Sequence, residues 1–142
     1  MVTEAEEKLL TVLKRNVRAS ISDIARNLHI SRATVQARIS KLEHIGVIKG
    51  YKLDLGNQYL EHFVSAHILI STKQRTSAQV SINLFKIPEV TDVHSIAGEY
   101  DLITVVTTKN TEKLNSILGD ISRLDGVERT NSSVILSTKQ RN

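Results

Sequence analysis

Ser20-Ile-Ser-Asp-Ile-Ala-Arg-Asn-Leu-His-Ile-Ser-Arg-Ala-Thr-Val-Gln-Ala-Arg-Ile-Ser-Lys-Leu-Glu-His44 is the stretch that decides the fold of the first third of this chain. Ser20 and Ser31 are helix-capping residues, and each stands just before an apolar-periodic run. The first run turns Ile21, Ile24, Ala25 and Leu28 to one side, with Asp23 in the capping-box position. His29 and Ile30 form a short break. The second run buries Val35, Ile39 and Leu42 at i, i+4 and i+7, and Gly46 supplies its stop. Two short helices joined by a tight turn, the second rich in Arg, Thr and Gln, make a helix-turn-helix pattern. The turn lacks the glycine often found there.

A third helix precedes this pair. Thr3 with Glu6 reads as a capping box, and Leu9, Leu10, Val12, Leu13 and Val17 follow at helix-like spacing. The apolar positions by themselves specify only a three-helix core. The outward face of the last helix is more specific: Arg32, Thr34, Gln36, Arg38, Ser40 and Lys41, opposed by Glu43 alone. Arg and Gln pair bidentately with base edges, while Ser, Thr and Lys suit phosphates. The same face also suits plain solvation. Gly46-Val-Ile-Lys-Gly-Tyr-Lys-Leu53 is β-prone and follows directly, which suits a wing whose Lys49 and Lys52 reach the phosphate backbone, or a plain linker strand.

Charge is distributed in the same sense. The net charge is +4, and residues 1–52 hold ten Lys/Arg against five Asp/Glu, whereas residues 53–142 hold nine against ten. A basic module on a near-neutral body points to a polyanionic partner for that module. The 142 residues suit one average domain or two small ones. The expected organisation is a winged helix-turn-helix at 1–53, a linker at 54–61, and a second module at 62–142. No apolar run approaches the ~20 residues of a membrane span, and the acidic start Met-Val-Thr-Glu-Ala-Glu is unlike a signal peptide. Cysteine is absent, which fits a reducing cytoplasm.

The second module repeats itself. Lys86-Ile-Pro-Glu-Val-Thr-Asp-Val-His-Ser95 aligns with Arg123-Leu-Asp-Gly-Val-Glu-Arg-Thr-Asn-Ser132. At each, an amphipathic helix ends and a strand begins. The expected strands before these helices are Phe63–Ile70, with Val64, Ala66, Ile68 and Ile70 on one face, and Asp101–Thr108. The helices start near Ser77, burying Val80, Leu84 and Ile87 before Pro88, and near Thr111, burying Leu114, Ile117, Leu118 and Ile121. The fold class is therefore α+β, the second module being a ferredoxin-like βαββαβ sandwich. Two helices cover one sheet face, so a second subunit is the expected cover for the other.

Candidate chemistry is sparse. His29, His44, His62, His67 and His94 have no metal-ligand spacing and no cysteine beside them. His67 and His94 are possible neighbours on a sheet. No phosphate-binding loop, dinucleotide fingerprint or nucleophile elbow occurs, so no enzyme, cofactor or metal is expected. One loop stands out, Ala97-Gly-Glu-Tyr-Asp101. Its glycine exposes backbone N–H groups and Asp101 suits an ammonium group, although an ordinary turn has the same composition.

Taken together, Ser22–Leu28, Ser31–Glu43, Gly46–Tyr51, Gly98–Asp101 and Gly126–Ser132 resemble the Lrp/AsnC (leucine-responsive, feast/famine) family over nearly the whole chain. The first helix departs from the usual family opening. The resemblance implies a sequence-specific transcriptional regulator whose recognition helix spans Ser31–His44. Its candidate contacts to double-stranded DNA are Ser31, Arg32, Thr34, Gln36, Arg38 and Lys41, joined by Lys49 of the wing. It further implies a dimer that assembles into a ring, often an octamer, in the cytoplasm and on the nucleoid. An amino acid or related effector would bind at Gly98, Tyr100, Asp101, Thr130 and Ser132. An effector-independent nucleoid protein and a siroheme-decarboxylase-like enzyme are the alternatives, the latter opposed by the near-neutral second module.

Overall fold

A computed structural model describes residues 1–139, in two compact units that divide after Asp54. The last three positions of the module expected at 62–142 lie outside the described residues.

The first unit holds α1 (Glu4–Arg15), α2 (Ile21–Leu28) and α3 (Arg32–His44). All three start where side-chain chemistry starts them. Thr3 Oγ1 accepts the Glu6 N–H at 3.2 Å while Glu6 Oε2 accepts the Thr3 N–H at 2.9 Å, completing the capping box. Ser20 and Ser31 accept from the N–H groups of Asp23 and Thr34. The Asp23 carboxylate pairs with Arg26 instead of returning to the cap. Leu9, Leu13, Ile24, Ala25, Val35 and Leu42 form the buried core, with Ile21, Leu28, Ile39 and Ile48 packed at its margin. Val17 lies past the end of α1 and is exposed.

The turn between α2 and α3 manages without glycine. His29 takes the left-handed conformation at φ 55°, and the Ile30 N–H returns to the Ala25 carbonyl at 3.0 Å. This is a Schellman closure of α2.

The β-prone segment after α3, where the wing is expected, forms no strand. The reason is pairing. Every other element of this unit is helical, so the segment has no ladder to join. Its ties are local: the Ile48 N–H donates to the Leu42 carbonyl at 3.0 Å, and the Tyr51 hydroxyl donates to Glu43 at 2.9 Å.

The second unit opens with one helical turn, α4 (Asn57–Leu60), within the stretch expected as linker. Then follow β1 (Val64–Thr72), α5 (Ser77–Leu84), β2 (Val90–Ser95), β3 (Leu102–Thr108), α6 (Thr111–Ser122) and β4 (Val127–Ile135). The sheet order is β2-β3-β1-β4 with antiparallel neighbours throughout, the βαββαβ arrangement. One face carries Ala66, Ile68 and Ile70 of β1 with Leu102 and Val106 of β3. It packs on Val80 and Leu84 of α5 and on Leu114, Ile117 and Ile121 of α6. The other face carries Ser65, His67, Leu69 and Ser71 beside Ile103, Val105 and Thr107. Leu69, Ile103 and Val105 there are half-buried, and His67 is exposed.

Several boundaries move. β1 runs two residues past Ile70, because Thr72 still pairs with β4. α5 ends at Leu84, so Ile87 sits in a turn rather than on the helix, and its N–H reaches the Leu84 carbonyl. His67 pairs with Val105 and His94 with Ile103, so β3 runs between the two histidines and they are not neighbours. Gly126, aligned with Glu89 in the repeat, lies at φ +89°, and a Cβ there would meet Val80 Cγ2 at 2.9 Å. The second half of the repeat needs a glycine where the first does not.

Candidate nucleic-acid interface and ligand site

The outward side of α3 follows from its buried side. Val35 and Leu42 are fully buried and Ile39 half-buried. At about 100° per residue, the opposite direction passes through Ala33, Ala37 and His44, with Gln36, Ser40 and Lys41 beside them. All six are exposed. Arg32 is exposed on the first turn, next to Gln36.

The expected DNA-facing residues therefore do not share one face. Gln36 and Ser40 lie on one side of the outward direction, with Arg32 further round toward the core, and Lys41 lies on its other side. Thr34 and Arg38 are half-buried on the Lys41 side, Arg38 flanking the core and lining a shallow cleft with Thr3, Lys8, Leu28 and Ile30. Thr34 Oγ1 lies 2.7 Å from Ser31 Oγ, which also caps the helix, so both hydroxyls serve its first turn. Lys49 is exposed on the segment without a strand. Ala33, Ala37 and His44 carry no charge or hydrogen-bonding pattern that marks them as DNA-facing in the sequence. Projecting the buried stripe through the helix axis would have found them.

Lys41 has an internal partner. Its Nζ lies 2.6 Å from Glu6 Oε1, and the Glu6 side chain is only 5% exposed. The hydrogen bond from Lys41, followed by that from the Thr3 N–H, holds the Glu6 carboxyl below its ordinary value.

The candidate ligand loop joins β2 to β3. Gly98 takes φ +143°, and a Cβ there would meet nothing within 4 Å, so the backbone conformation rather than space calls for glycine. Asp101 is a structural clamp. Its N–H donates to the Ile70 carbonyl at 2.9 Å, and its carbonyl accepts the Ile96 N–H at 3.0 Å. Its Oδ2 accepts from the Thr72 N–H at 2.7 Å and from Thr72 Oγ1 at 3.2 Å. Thr72 Oγ1 in turn lies 2.7 Å from Ser77 Oγ at the start of α5.

Tyr100 faces a residue not singled out from sequence. The Arg129 guanidinium carbon lies 5.0 Å from the Tyr100 ring centroid, and Arg129 Nη2 lies 3.1 Å from Glu99 Oε1. Thr130 and Ser132 stand opposite Ile70 and Ile68, which puts them on the helix-covered side of the sheet. Arg129 stands opposite Ser71, on the other side. The five expected ligand residues thus cluster toward one end of β1 but divide between the sheet's two sides. A surface cavity of about 520 Å³ lies toward the other end of β1, lined by Phe63, Ser65, Thr107 and Ile135 among others. Among the described residues, no three His, Asp or Glu side chains could share a metal ion, and no helix is long and apolar enough to cross a membrane.

Residues 3–49 match the winged helix-turn-helix DNA-binding model. Joined to the α+β second unit, they define the class of protein: a DNA-binding transcriptional regulator with a separate ligand-binding module. Residues 65–142 match the Lrp/AsnC ligand binding domain, and the chain belongs to the Lrp/AsnC family. It is 37% identical over 136 residues to the HTH-type transcriptional regulator LysM of Sulfurisphaera tokodaii, covering 95% of each chain. It is 32% identical over 135 residues to regulator FL11 of Pyrococcus horikoshii, covering 95% of this chain and 89% of that one. Among solved structures, the feast or famine regulatory protein of M. tuberculosis complexed with L-methionine is 27% identical. It aligns at a TM-score of 0.88 over 100% of this chain and 97% of that one.

Proposed function

We propose that the protein is an operator-specific regulator of the cytoplasm and nucleoid, that its 62–142 module assembles and senses an amino acid, and that it catalyses no reaction. In this reading α3 enters the major groove with Ala33, Gln36, Ala37 and Ser40 foremost. Arg32 and Lys41 flank them, Arg38 and Lys49 reach phosphates, and Ser31 and Thr34 hold the start of the helix. The sheet face bearing Leu69, Ile103 and Val105 pairs with a second copy, and such dimers close into a ring, an octamer being the expected size. The ligand engages the loop Gly98–Asp101 together with Thr130 and Ser132.

One observation carries this reading: an exposed recognition face on a winged helix-turn-helix module, joined to a Lrp/AsnC ligand-binding module. L-Methionine bound to the M. tuberculosis relative supports the choice of ligand class. The test is a thermal-shift screen against the standard L-amino acids, followed by gel shifts with and without each hit. A ligand at 100 times its Kd adds ~2.7 kcal/mol of stability. Absence of any hit, with DNA binding indifferent to every amino acid, would remove the sensing half of the reading.

A further inference from the structure

Arg129, Glu99 and Tyr100 form a cluster that the fold does not need. Arg129 projects from the edge strand β4, its side chain is 55% exposed, and that of Glu99 is 73% exposed. An ion pair this open contributes little to stability. The arrangement is nevertheless specific. Tyr100 offers its ring to the guanidinium at 5.0 Å, and Glu99, the preceding residue, offers a carboxylate at 3.1 Å. Stacking on a ring fixes the plane of a guanidinium and leaves its N–H edge directed at an anion.

We propose that Arg129 is the anchor for the carboxylate of the amino-acid ligand, and that Glu99 occupies this anchor as an internal stand-in while the ligand is absent. The proposal rests on reading the Gly98–Asp101 loop as an amino-acid site and names how that site selects its ligand. Three features carry it. A guanidinium with one planar side held by an aromatic ring is suited to bidentate carboxylate recognition. The group it now holds is a carboxylate on a flexible, exposed side chain, so exchanging one carboxylate for another costs little. Arg129 stands opposite Ser71 on the sheet face away from α5 and α6, so the anchor is open to a ligand.

The experiment compares each standard L-amino acid with its amide on the full-length protein, in wild type, Glu99→Gln and Arg129→Gln, by thermal shift and calorimetry. Both substitutions are at exposed positions, and circular dichroism confirms the fold. In wild type the acid should bind at least about tenfold tighter than the amide. Arg129→Gln should bring that ratio close to one, and Arg129→Lys should restore part of it. Glu99→Gln should tighten the acid by about two- to fivefold, the yield of releasing an exposed pair. An Arg129→Gln protein that keeps the preference for the acid would overturn the anchor and leave amino-acid sensing intact, as would a Glu99→Gln protein that binds the acid more weakly. If no amino acid binds to either wild type or Glu99→Gln, the sensing reading fails and the anchor falls with it.

Discussion

Lys41 Nζ sits 2.6 Å from Oε1 of Glu6, joining the recognition helix to the first turn of α1 across 35 residues of sequence. The carboxylate is nearly buried and the ammonium half exposed. The pair therefore anchors α3 from the side and partly cancels the charge of Lys41. Arg38→Ala should lower the log–log salt slope of DNA binding by about one unit, the yield of one phosphate contact. Lys41→Ala should lower it by less, while reducing the thermal stability of the first unit more. Equal slopes for the two variants, measured by titration at several salt concentrations, would count against the internal pairing.

The same pair sets a pH dependence. Glu6 has a folded-state pKa below its ordinary 4.5, chiefly through Lys41. A depressed carboxylate stabilises the fold above its unfolded pKa, and that contribution is lost as the pH falls through the folded value. The first unit should therefore lose stability from about pH 4.5 downward. Glu6→Gln, which can still accept the Thr3 N–H, should flatten this limb. Thermal melts between pH 3 and 7 compare the two proteins, and a limb of unchanged steepness in Glu6→Gln would assign the acid sensitivity elsewhere.

Ala37 sits near the middle of the outward side of α3. Ala37→Leu should leave stability within about 0.5 kcal/mol, as expected of an exposed helix position. It should weaken DNA binding about tenfold or more, because a longer side chain holds the helix away from the groove floor. Gel shifts with the variant showing unimpaired affinity would place the docking surface on another side of the helix.

Asp101 was singled out from sequence as a partner for an ammonium group, and its bonds to Thr72 give it a structural role as well. Asp101→Ala should destabilise the second unit by about 1–3 kcal/mol, the cost of orphaning the groups it accepts from. Ser132→Ala, exposed on β4, should be neutral for stability. Urea unfolding monitored by circular dichroism separates the two. An Asp101→Ala protein as stable as wild type would show that the clamp contributes nothing and return the residue to a purely ligand-facing role.

These cases show what can be read from one-dimensional sequence. Thr3, Ser20 and Ser31 act over three residues, so helix starts were legible, as was the alternation of Ala66, Ile68 and Ile70 on β1. That Gly46–Leu53 forms no strand was not legible, because β propensity there says nothing about whether a partner strand exists. The bonds Glu6–Lys41, Asp101–Thr72 and Glu99–Arg129 span 35, 29 and 30 residues and leave no periodic trace. Of the candidate site, residue types were visible and their faces were not. Arg38 and Gln36 looked alike as polar helix residues, and only the position of the core separates them.

Val105 lies on the sheet face opposite α5 and α6, between His67 on β1 and the irregular register of β2. If that face pairs with a second copy, Val105→Asp should bury an unpaired charge at the junction and yield monomers. Light scattering at micromolar concentration should report a dimer or larger for wild type and about 16 kDa for the variant. A variant of undiminished mass would move the junction to another surface.

β1 is bonded on both sides, to β3 from Val64 to Ile70 and to β4 from Ser65 to Thr72, and the Asp101 clamp is attached at its end. A strand held by two ladders can neither stretch nor slip by a fraction of a register. A push applied at Asp101 must then either break a hydrogen bond or carry the whole strand with it, as a rod rather than a spring. Amide hydrogens along its centre should be among the slowest to exchange with solvent. A disturbance at the loop should reach the far end of the sheet, near Ser65 and Thr107, with little of its amplitude lost on the way.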